Sequence, residues 1–101
     1  YGPGFFRVGG VVHHGAVVVT PQGVRPWGGL DDTAALLELA GLVDVLFLGM
    51  GAGIAVPPRA LVEALEAVGV MAEPMSSPSA ARSYNVTLAE GRRIACALIP
   101  L

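Results

Sequence analysis

The sequence predicts an α/β fold: a mostly parallel central sheet flanked by helices, with the amino-terminal strands forming an added β layer. Two observations carry this. Short apolar strand patterns come first and then alternate with helical patterns, an order that lays parallel strands side by side beneath helices. The later strands are also near-continuous apolar runs, as strands covered on both faces are. Composition agrees, with 53% hydrophobic and only 14% charged residues and a mean hydropathy of +0.65, where about 25% charged residues is usual. A chain of 101 residues forms one domain and buries roughly two thirds of its unfolded surface. Apolar surface that so small a core leaves outside is expected to form a patch that invites a partner.

Phe5 to Val8 and Val11 to Thr20 read as two strands joined around Gly9-Gly10, the second open to interruption near Gly15. Val17-Val18-Val19 is β-branched and favours a buried strand. Pro21-Gln22-Gly23 is a turn, and Val24 to Trp27 a short strand that Pro26 confines to an edge or a strand end. Asp31-Asp32-Thr33 caps a helix from about Ala34 to Ala40, with its acids at the positive end of the dipole. Val45 to Leu48 is a fully apolar strand. Pro57-Pro58 introduces a second helix whose buried stripe is Leu61, Leu65 and Val68, with Arg59, Glu63 and Glu66 on the wet face and Gly69 as its stop. Val70 to Glu73 is a short strand, followed by a Ser/Pro-rich connector over Pro74 to Pro78. Ser77 caps a third helix with Pro78 in its first turn and Gly91 at its end; Ala81, Tyr84, Leu88 and Ala89 form its apolar face. Arg93 to Leu101 is the last strand.

Charge removes one class of partner. The net charge is −2, there is no lysine, and Arg92-Arg93 is the sole local concentration of positive charge, so the footprint of a nucleic-acid binder is missing. The apolar run from Val45 to Val56 is too short to span a bilayer and is broken by glycines, so no transmembrane segment is expected. Cys96 is alone, which excludes an internal disulfide. The chain opens at Tyr1 and not at Met, which predicts that residues precede it in the natural protein.

Several constellations are candidates for chemistry. Gly49-Met50-Gly51-Ala52-Gly53 follows an apolar strand, and Glu73 lies 24 residues beyond Gly49, the outline of a dinucleotide fingerprint. The third glycine falls at 53 where that pattern wants 54, occupied by Ile54, and the helix waits until Pro57 or Pro58. A tight strand-end turn accounts for the same glycines, and so does a cradle for another small ligand. His13 and His14 are adjacent on a strand and point to opposite faces, so they do not converge on a metal. Ser76, Ser77, Ser79 and Ser83 are present without a Gly-x-Ser-x-Gly elbow, and Cys96 sits in a strand whose burial makes a thiol inert. No catalytic set, metal or cofactor is therefore assigned.

The candidate ligand-binding residues are Gly49, Gly51, Arg82, Tyr84, Asn85, Arg25 and Trp27. Arg25 and Trp27, around Pro26, combine a fork for anions with a stacking surface; the plainer reading is a tryptophan lid over the core. Arg82-Ser83-Tyr84-Asn85 is a polar tetrad in a helix, and asparagine is a poor helix former. Ligands in open α/β sheets bind outside the carboxyl ends of strands, so the Gly49 turn and this helix are expected to line one crevice.

The segments Tyr1 to Arg7 (Tyr-Gly-x-Gly-Phe-Phe-Arg), His14-Gly15, Pro21 to Trp27, Leu48 to Ala52, and Arg82-x-Tyr84-Asn85 followed by Leu88-Ala89-Glu90 occur in one consistent order. In this the chain resembles the adipogenesis-associated Mth-domain family, which includes a mitochondrial assembly factor of respiratory complex I. The resemblance implies a three-layer fold with a central mixed sheet and an extra β layer, and no established enzyme activity. It implies protein partners near a membrane. By default a bacterial source makes a cytoplasmic location the expectation, and a eukaryotic source a mitochondrial one. Three departures stand out: a strand that family members carry before Tyr1, Met50 where the turn usually has Thr or Ser, and Ala16 in place of a common Ser. The function expected is a non-enzymatic binding or assembly module, with a small-molecule or anion site as the alternative.

Overall fold

The computed structural model describes residues 5–8, 10–53 and 56–101, apart from the side chain of Arg7. Tyr1 to Gly4 of the opening motif, Gly9 and Ile54 lie outside the described residues. The order is β1 (Phe5–Val8), β2 (Val11–His14), β3 (Val17–Thr20), β4 (Gly23–Pro26), α1 (Thr33–Leu37), β5 (Val45–Gly49), α2 (Arg59–Ala67), β6 (Met71–Met75), α3 (Ser77–Leu88) and β7 (Ile94–Leu98).

Five strands form the central sheet in the order β4-β3-β7-β5-β6, and β1 and β2 pair separately as an antiparallel layer. The sheet is mixed. β5 lies parallel to β6 and β7, while β3 is antiparallel to β4 and β7. The parallel character expected from the sequence thus belongs to the half built by the β-α-β alternation. The interruption near Gly15 is complete: it divides the expected second strand into β2, in the added layer, and β3, in the central sheet.

Side-chain alternation sends two cores to opposite faces. Val18, Leu46, Leu48, Ala95 and Ala97 meet Leu36, Leu39, Leu61, Leu65 and Trp27 beneath α1 and α2. Val17, Val19, Ile94, Cys96 and Leu98 meet Ala80 and Tyr84 of α3 and Phe6 of β1. Every residue of β7 is buried, which is why that strand reads as an unbroken apolar run.

Three details differ from the sequence pattern. Val68 does not join the stripe of α2, because it is the C-cap at φ −106°; it lies exposed and Val70 is buried instead. The cap of α3 is Ser76, whose side chain accepts from the Ser79 N–H, and the inward face is Ser77, Ala80 and Tyr84. β6 runs through Pro74 instead of stopping before it. The Met71 N–H bonds the Asp44 carbonyl at 2.9 Å and the Met75 carbonyl accepts from Met50 at 2.8 Å. Those residues therefore face β5, and Pro74 between them turns its hydrogen-free nitrogen away from the sheet. Pro26 does the same on the other edge. The Trp27 N–H bonds the Ala16 carbonyl at 3.0 Å, which leaves the preceding Pro26 nitrogen facing outward.

Candidate functional site

The chain leaves β5 for α2 on one face and leaves β6 for α3 on the other. Their carboxyl ends are thus where connections diverge and a ligand crevice is expected. The structure brings the Gly49 turn and the start of α3 together there, in direct contact. The Gly51 N–H donates to Ser77 Oγ at 2.9 Å, the Ser77 N–H donates to the Gly51 carbonyl at 2.8 Å, and Ser77 Oγ–H donates to the Ile99 carbonyl at 2.6 Å. The Ile99 N–H closes the ring onto the Gly49 carbonyl at 3.1 Å. Gly51 has φ +92°, and a Cβ on Gly49 would lie 2.8 Å from Ser77 Cα and 2.9 Å from Leu98 Cδ2. Both glycines are needed by local geometry. Ser77 is 1% exposed, and its hydroxyl occupies the place between turn and helix.

The other candidate residues divide between core and surface. Tyr84 is buried against the sheet beside Cys96, and loss of solvent, reinforced by the nearby thiol, raises its phenol pKa. Arg82 and Asn85 lie on the exposed side of α3, where the Arg82 Nη2 donates to Ser79 Oγ at 3.2 Å. Trp27 is buried in the core of the opposite face, with its indole N–H donating to the Asp32 carbonyl at 3.1 Å. Arg25, two residues earlier, is exposed and pairs with Glu38 at 2.9 Å. Arg82 and Asn85 therefore share α3 with Tyr84, whereas Arg25 and Trp27 belong elsewhere.

The dinucleotide outline lacks its anion end. α2 begins only at Arg59, well beyond the turn, so the helix that follows the glycines in the fingerprint does not present its N-terminus to them. Glu73 sits opposite Phe47, two residues short of the strand end where Gly49 meets Met75. His13 and His14 stand opposite Phe6 and Phe5, on alternate faces. Among the described residues no three His, Cys, Asp or Glu side chains group as metal ligands. Burial pushes the Cys96 thiol up to about 12, which keeps it protonated at neutral pH.

Ser77 is the residue that sequence reasoning misplaced. Its signal was the pair Ser76-Ser77 before Pro78: Ser76 with Ser79 three residues on has the spacing of a cap and its amide partner, which frees the second serine to point inward.

A model of a protein family of unknown function, DUF498/DUF598, matches residues 1–99. An uncharacterised protein of Rhodobacter capsulatus is 58% identical over 101 residues, covering all of this chain and 82% of the relative. A crystal structure described as an outer membrane protein from Bartonella henselae superposes with a TM-score of 0.88 at 30% identity, over 99% of this chain and 90% of that one. A solution structure of a Bordetella pertussis protein, described as a Mth938-like domain, gives 0.82 at 30% identity over 99% and 82% of the two chains. The Mth-type resemblance read from the sequence holds at this level, and the chain belongs to the DUF498/DUF598 family.

Proposed function

We propose that this chain is a non-enzymatic binding or assembly module whose partners are proteins. The observation that carries the reading is the rim where β5, β6 and β7 begin. Leu42, Met71 and Val68 are 61%, 57% and 40% exposed there, and Met71 overhangs a depression of about 290 Å3 walled by Asp44 and Glu66. Exposed apolar side chains beside carboxylates suit a docking surface better than a reaction centre. The family resemblance extends this reading to assembly of a membrane-associated respiratory complex, with the protein in the cytoplasm of a bacterial source. Met71→Asp with Val68→Asp tests it. The variant is expected to keep its melting behaviour and lose defined partners, with assembled complex falling in cells that carry it. Unchanged partners and unchanged complex would sink the reading.

A second reading places a small-molecule or anion site between the Gly49–Gly53 turn and the Arg82–Asn85 stretch of α3. Its support is the meeting of turn and helix on the carboxyl rim, next to the positive end of the α3 dipole. Against it stands Ser77, which fills the space between them. A metabolite screen by thermal shift separates the readings, since a ligand at 100 times its dissociation constant adds about 2.7 kcal/mol. Arg82→Ala or Asn85→Ala should abolish that shift in a protein that still folds.

A further inference from the structure

A second depression opens on the same rim, between the β3–β4 hairpin and the chain entering β5. It measures about 400 Å3 and is lined by Thr20, Gln22, Val24, Arg25, Leu42 and Val43. Arg25 also lines a neighbouring hollow of about 240 Å3 together with Glu38, so its side chain is common to both depressions. We propose that the larger depression binds a small amphipathic carboxylate, an anionic head on a short aliphatic body.

Three features specify that chemistry. The guanidinium of Arg25 is a planar fork matched to a carboxylate. It already holds one, Glu38 Oε1, at 2.9 Å with the two side chains 52% and 61% exposed. An ion pair that wet contributes little, so a carboxylate whose body is also bound can take the place of Glu38. The body has a wall to lie on, because Leu42 presents exposed apolar surface in this depression, with the buried Val43 beside it, while the side chain of Val24 packs on the opposite face. Ligand cavities begin near about 300 Å3, so the space admits a short chain. The indole of Trp27 is committed to the core and to Asp32, which removes stacking and leaves an aliphatic body as the match. This site shares Leu42 with the docking rim proposed above, and its test uses the chain alone, without protein partners.

Hexanoate titrated into the intact chain, followed by two-dimensional amide NMR, provides the test, with hexanol and hexylammonium as comparisons. Saturable shifts are expected in the amides of Thr20, Gln22, Val24, Arg25, Leu42 and Val43 with hexanoate alone. Arg25→Gln should weaken binding by about tenfold or more. Glu38→Gln should strengthen it by about two- to fivefold, because it removes the competing carboxylate. Equal shifts with hexanol, shifts that do not saturate or map elsewhere, or weaker binding by Glu38→Gln would each overturn the proposal.

Discussion

Ser77 and Gly51 exchange two hydrogen bonds, amide to hydroxyl at 2.9 Å and amide to carbonyl at 2.8 Å, and so pin the start of α3 to the end of β5. One side chain thereby joins a turn, a helix and the segment after β7.

Ser77→Ala leaves the Gly51 N–H and the Ile99 carbonyl without their side-chain partner in a buried place. The expected cost is about 1–3 kcal/mol, read as a lower urea midpoint with an unchanged slope. A midpoint equal to that of the parent would mean that water replaces the hydroxyl.

Gly49→Ala puts a methyl against the backbone of Ser77, which cannot yield as a flexible side chain does. About 1–3 kcal/mol is expected from such overpacking. Gly53→Ala meets no atom within 4 Å and should stay within about 0.5 kcal/mol of the parent. Equal effects at both positions would contradict the close approach.

Val70→Ala removes methyls from a fully buried site and should lower stability by about 2 kcal/mol. Val68→Ala, at the exposed C-cap, should change it by less than about 0.5 kcal/mol. Thermal unfolding of the two variants side by side decides whether the chain turns inward after Leu65 as described.

Cys96 predicts a direction with pH. Its thiol rises from about 9 to about 12 on folding, so between those values the folded chain keeps a proton that the unfolded chain releases. Stability contributed by this group is intact below about pH 9 and falls by about 1.4 kcal/mol per unit as pH climbs toward 12. Tyr84, raised for the same reason, adds a loss of the same sign above its ordinary value. Cys96→Ala should flatten part of that slope. Native protein at pH 8 should leave a thiol reagent unreacted until denaturant is added; rapid labelling of the folded chain would refute the burial.

The strands and the helix-strand alternation were legible because burial on both faces writes continuous apolar runs, as in Val45 to Leu48 and Ile94 to Leu98. Pro26 reads as an edge residue for the right physical reason, since its nitrogen carries no donor for an inner ladder. Pro74 does not, because a proline at the outward-facing register of an edge strand looks, in one dimension, like a strand stop. The inward face of α3 was misjudged by one position, since Ser77 is polar and hydropathy periodicity cannot place a serine that finds its hydrogen bonds inside. Leu42 and Val68 sit in apolar stretches indistinguishable from core. Only the three-dimensional path of the chain past α1 and α2 sets them outside.

The outward prolines at positions 26 and 74 bear on how copies of this apolar chain can meet. A strand approaching either flank finds the donors it needs for a continuous ladder interrupted at the middle or the end, so ribbon-like growth by lateral stacking is checked at both margins. Association along those margins must then be decided by side chains, which are particular to a sequence, and not by backbone, which every protein shares.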